Sequence, residues 1–125
     1  LAVSAATRHS LAITANGAIW SWGGGDEGKL GHGDAQNRWQ PKKVEALAGQ
    51  RVVAVSAGGD HSLAITAGGA VWSWGGGDEG KLGHGDVQNQ LLPKKIEAFA
   101  GRRVVAVSAG WMHSLALSAD GAVWS

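Results

Sequence analysis

Apolar residues along this chain fall into short runs broken by glycine-containing pairs. VVAVSAG (52–58), HSLAITA (61–67) and AVWSWG (70–75) are rich in Val, Ile, Leu, Thr and Trp and bounded by turn residues, which predicts strands. Asn16-Gly17, Gly68-Gly69 and Asp120-Gly121 stand in equivalent places between the second and third runs. Such pairs accept positive φ at little cost, so each predicts a tight hairpin. After Pro41 and Pro93 come KKVEAL and KKIEAF, whose polar and apolar residues alternate and predict a short outer fourth strand. Lysine suits such an edge because it deters pairing with foreign strands. No stretch of ten residues carries a 3.6-residue apolar period, so the expected class is all-β.

The pattern repeats. His9, His61 and His113 stand 52 residues apart, as do Trp20, Trp72 and Trp124, and SWGGGDEGKLGHGD (21–34) recurs unchanged at 73–86. The 125 residues therefore divide into about two and a half units: 1–52, 53–104 and a partial unit 105–125. Three or four short strands in about 50 residues is the size of one β-propeller blade. A unit of this kind cannot bury its apolar surface alone and relies on its neighbours.

Composition narrows the chemistry. Eleven Lys and Arg against ten Asp and Glu give a formal charge of +1, too little to steer nucleic acid or anionic lipid, so neither is an expected partner. No window is apolar enough to span a bilayer, and a soluble folded chain is expected. Cysteine is absent, which removes disulfides and thiolate chemistry and suits a reducing, intracellular compartment. The 21 Gly and seven Trp, with no Tyr and one Phe, reflect one short pattern copied several times.

GGDHSLAITAGGAVWSWGGGDEGKLGHGD followed by PKKIEAF resembles the repeat of the regulator-of-chromosome-condensation family, and the likeness covers the whole chain. The resemblance implies a seven-bladed propeller with four-stranded blades. It leaves function open, because that family includes a nucleotide exchange factor for a nuclear small GTPase, giant ubiquitin ligases, a plant ultraviolet-B photoreceptor and scaffolds. The only Met is Met112, and Trp124-Ser125 falls inside the W-S-W-G motif, so the chain is expected to be a fragment of one larger propeller with open blade edges that promote self-association.

Several motifs invite catalytic readings that their surroundings do not support. Gly23-x-Gly25-x-x-Gly28 and Gly75-x-Gly77-x-x-Gly80 match the dinucleotide fingerprint formally, but that fingerprint needs a helix behind it, and KLGHGD has no helical period. Tight turns between strands are expected there, and no cofactor. Asp60-His61-Ser62 suggests a triad, yet neighbours on a strand point to opposite faces, and the expected partner of each repeat His is a nearby loop. His32 and His84 recur without the carboxylates that a metal site within one unit would need. Trp20, Trp22, Trp72 and Trp74 alternate on the third strand and are expected to pack between blades.

The differences between copies carry the functional expectation. They concentrate at Thr7-Arg8 against Gly59-Asp60 and Trp111-Met112, and at Arg38-Trp39-Gln40 against Gln90-Leu91-Leu92, positions expected in turns ahead of a strand. Loops on a rigid scaffold are where partners bind, and Arg and Trp are enriched at interface hot spots. Arg8, Arg38, Trp39, Asp60, Trp111 and Met112 are therefore the candidate protein-binding residues. The leading expectation is a non-catalytic protein-interaction scaffold within a larger protein or assembly. Two alternatives are nucleotide exchange on a small GTPase and, because G-W-x-H around Trp111 resembles the photoreceptor's motif, ultraviolet-B sensing.

Overall fold

The computed structural model describes residues 2–6, 8–99, 102–110 and 114–125. Eleven strands form there: β1 (Ala2–Ala5), β2 (His9–Ile13), β3 (Ile19–Gly23), β4 (Arg38–Lys43), β5 (Val52–Ala57), β6 (His61–Thr66), β7 (Val71–Gly75), β8 (Gln90–Lys95), β9 (Val104–Ala109), β10 (Ser114–Ser118) and β11 (Val123–Trp124). They make three antiparallel sheets in chain order: β1-β2-β3-β4, β5-β6-β7-β8 and β9-β10-β11. Among the described residues no helix is long and apolar enough to cross a membrane.

Each sheet is a meander whose second and third strands join through one of the expected glycine turns. Gly17 sits at φ 85°, its N–H donates to Thr14 O at 2.9 Å, and its carbonyl accepts Val52 N–H of the next sheet at 3.0 Å. A Cβ at Gly17 would stand 2.7 Å from Arg51 Cγ, so glycine serves both the turn and the close approach of the neighbouring sheet.

The outer strand departs from the sequence expectation. It runs across each proline, as RWQPKK and QLLPKK, instead of beginning after it. Proline donates no backbone hydrogen bond, and on the outermost strand its position can face solvent without breaking the ladder. Of the residues expected to form the strand, Lys42-Lys43 and Lys94-Lys95 close it, and the rest lead into single 3-10 turns at Glu45–Leu47 and Glu97–Phe99. Val44 and Leu47 are buried three residues apart, a spacing that one such turn brings to the same side.

The cores lie between sheets. Leu11, Ile13, Ile19, Val44 and Leu47 pack against Val52, Ala64 and Trp74 of the second sheet. Ile65, Val71 and Ile96 pack in the same way against Val104 and Ala116, with Phe99 and Trp124 in edge-to-face contact at the border. Similar strands thus bury differently. HSLAI on β2 alternates buried and half-buried, whereas HSLAIT on β6, flanked on both faces, is buried throughout. On β10 Leu115 and Leu117 are exposed and Ala116 is buried.

The tryptophans follow the same logic. Trp74 is fully buried and Trp72 packs against the first core, while Trp20 and Trp22, on the face of the first sheet that no described neighbour covers, are half-buried.

Candidate protein-binding surface and the seams beneath it

The conserved-looking polar residues of each unit are spent on holding sheets together. At the first seam His9 Nε2 lies 3.0 Å from Ser62 Oγ, and Ser62 Oγ donates to Lys29 O at 2.8 Å. At the second seam His61 Nε2 lies 2.9 Å from Ser114 Oγ, which donates to Lys81 O at 2.7 Å. A serine has one proton, and a carbonyl can only accept it, so the histidine must donate from Nε2. Nε2 therefore carries the donated proton at both seams. Within each unit the same arrangement recurs: Ser21 donates to Leu30 O and receives His32 Nε2, and Ser73 donates to Leu82 O and receives His84 Nε2.

The repeat His was expected to bond a loop directly. Its partner is instead a serine of the next sheet, and that serine holds the loop. His9 and Ser10 point to opposite faces, but His9 faces the sheet whose Ser62 points back. Burial, with smaller contributions from the Lys29 and His61 charges, lowers the His9 pKa to about 4. His32 and His84 are lowered in the same direction, again chiefly by burial and next by Lys42 and Lys94 respectively. Asp60 turns from His61 toward Lys29, so Asp60-His61-Ser62 forms no triad. The formal dinucleotide fingerprint at residues 23–28 ends in a 3-10 turn of three residues, Asp26–Gly28.

Lys29 is the residue that sequence reading missed. It is fully buried, and its Nζ lies 3.8 Å from Asp60 Oδ1 across the seam. The available signal was the unchanged GKLGHGD at 28–34 and 80–86, where Lys81 is also buried.

The described variable residues gather at one end of the sheets. Arg38 stands opposite Gly23 in the β3–β4 register, and Gly23 opposite His9 in the β2–β3 register, so Arg8, Arg38 and Trp39 share the same end of the first sheet. Gln90, Gly75 and His61 repeat that line on the second, beside Asp60. Arg8 is exposed and precedes β2. Trp39 is 94% exposed, but it and Arg38 lie on β4, not in the turn expected for them. The outer strand begins before its proline and takes both residues in. Arg38 is tied to Asp34 by a 2.9 Å ion pair, and Asp60 is engaged by Lys29. Trp111 and Met112 lie outside the described residues. Among the described residues no group of three or more His, Asp or Glu is placed to hold a metal.

Four-stranded antiparallel meanders, stacked face to face at a 52-residue period, are blades of a β-propeller. Family models described as "Regulator of chromosome condensation (RCC1) repeat" match residues 16–65 and 68–117, and 2–29 and 52–81. The chain belongs to the RCC1 repeat family.

Over its whole length it is 44% identical to the human E3 ubiquitin-protein ligase HERC2 and 41% identical to the ultraviolet-B receptor UVR8 of Arabidopsis thaliana. It spans 3% of the former and 29% of the latter. Among solved structures it superposes on Prp20p of Saccharomyces cerevisiae with a TM-score of 0.84 and 25% identity, covering all of this chain and 31% of that one.

Proposed function

We propose that the chain is a non-catalytic protein-binding platform within a larger propeller, working in an intracellular compartment without a cofactor. One observation carries the reading: the repeated histidines and serines are engaged in the seams, while the described residues that vary between copies share one end of the sheets. His9 and Ser62 are buried and bonded to each other, Ser62 also holds the Lys29 carbonyl, and the buried Lys29 ammonium faces Asp60. Arg8 and Trp39 face outward from a rigid support with Arg38 and Asp60 beside them, and Trp111 and Met112 are included from the comparison of copies alone. The study that reports Prp20p describes its binding to Gsp1p and histones, which supports proteins as the partner class.

The test compares affinity capture from cell extracts by the parent, Arg8→Ala, Trp39→Ala and a control, Lys43→Ala, at the opposite end of β4. Partners should be lost with the first two changes and kept with the control, at unchanged melting temperature. Capture of the same proteins by all four would refute the platform.

A further inference from the structure

A formal charge of +1 conceals a division between the two ends of the sheets. The end formed by the β2–β3 and β6–β7 hairpins and by the 3-10 turns after β4 and β8 carries Lys42, Lys43 and Arg51 of the first unit and Lys94, Lys95, Arg102 and Arg103 of the second. Only Glu45, Glu97 and Asp120 oppose these seven. The other end keeps the remaining four cations and seven acids, and both described ion pairs, Lys29–Asp60 and Arg38–Asp34, are there.

Three of the cations line one recess. It measures 320 Å³ and is bounded by Gly68, Lys95, Arg102 and Arg103 over a floor of Ile96 and Phe99. Its counterpart in the first unit, beside Asn16, Lys43, Gln50 and Arg51, measures 210 Å³. Two differences set the second recess apart. Gly68 replaces Asn16, and a Cβ on Gly68 would meet nothing within 4 Å, so the recess stands open there. Arg102 replaces Gln50 and adds a third charge.

Both arginines are held in place by the protein itself. The Arg103 stem lies against the hairpin, its Cγ 2.7 Å from where a Gly69 Cβ would stand, and the Arg102 guanidinium lies 4.7 Å from the centre of the Trp124 ring. A guanidinium laid over a ring keeps its N–H groups in its own plane, where a carboxylate can accept two of them at once. Asp120, in the adjoining recess, is engaged elsewhere: its carboxylate accepts Ser118 Oγ–H and Ala122 N–H.

We propose that this recess binds an acidic segment of a partner protein, its carboxylates on Lys95, Arg102 and Arg103 and one aliphatic side chain over Ile96 and Phe99. The apolar floor suits a peptide better than a nucleic acid, and Glu97, exposed on the turn that carries Phe99, repels a continuous phosphate chain. The surface goes beyond the platform reading: it lies at the opposite end from Arg8 and Trp39, and Lys43 belongs to the other recess.

The probe is a fluorescent peptide of sequence EEDLDEE, titrated with the full chain and followed by anisotropy at low and physiological salt. Binding should weaken as salt rises. Arg102→Gln installs the residue that the first unit carries at this place and should raise Kd about tenfold, the loss of one charge-assisted hydrogen bond. Lys42→Gln removes an equal charge from the same end but outside the recess, and should change Kd by no more than about twofold. The proposal is overturned by absence of binding to the parent, by equal loss in the two variants, or by tighter binding of single-stranded DNA of the same net charge. Should Arg102→Gln lower the melting temperature, Lys95→Gln, at an exposed position, takes its place under the same criterion. The platform reading is tested apart from this one, by the proteins that Arg8→Ala and Trp39→Ala release.

Discussion

Acidification should loosen the first seam through His9, and the size of the effect follows from its surroundings. The side chain is 2% exposed, and its pKa falls from 6.5 to about 4, burial being the main cause. A histidine whose folded pKa lies below its unfolded value stays neutral in the fold while the unfolded chain takes up a proton. Its contribution is therefore complete above pH 6.5, declines as pH falls toward about 4, and changes no further below that. A shift of this size corresponds to about 3 kcal/mol, a large share of the stability of a small domain.

The assay is urea denaturation followed by tryptophan fluorescence between pH 7.5 and 4.5, beside an NMR titration of the His9 ring. His9→Gln is the control, because its amide can still donate to Ser62 but does not titrate. The parent should lose more stability than the control across this range, and the His9 resonance should move near pH 4. A midpoint near 6.5, or identical pH dependence in parent and control, would refute the buried neutral tautomer.

Two further outcomes separate core from surface. Trp74→Ala should cost about 3–5 kcal/mol in calorimetry or denaturant melts, as for a fully buried aromatic, whereas Trp39→Ala should stay within about 0.5 kcal/mol. The isolated chain should self-associate through its two uncovered sheet faces, where Val3, Leu115, Leu117 and Val123 are exposed; Leu115→Lys with Leu117→Lys should shift light scattering toward the monomer, and a strictly monomeric parent would contradict this.

The period, the inner strands and the glycine hairpins were legible because each is local. Asn16-Gly17 and Asp120-Gly121 need only the backbone preferences of neighbouring residues. The outer strand was misplaced because proline was read as a boundary, although an outermost strand has no ladder beyond it to break. The His9–Ser62 bond was hidden because the partners are 53 residues apart, one more than the repeat. Lys29 escaped because burial of lysine is rare, and its cost is met by a carboxylate from another unit. At the candidate surface the variable residues were identifiable by comparing copies, but their strand setting and the pairs Arg38–Asp34 and Asp60–Lys29 depend on contacts that appear only after folding.

The offset of one between bond and repeat has a consequence for how such arrays grow. Histidine and serine are adjacent in sequence, so any duplicated 52-residue segment carries both halves of the joint: a donor for the unit after it and an acceptor for the unit before. A newly inserted copy meets two compatible neighbours without any compensating change. Gene duplication or unequal recombination can therefore lengthen or shorten the series by whole units while every internal joint stays intact, and divergence is left free to act on the few positions that the joint does not use.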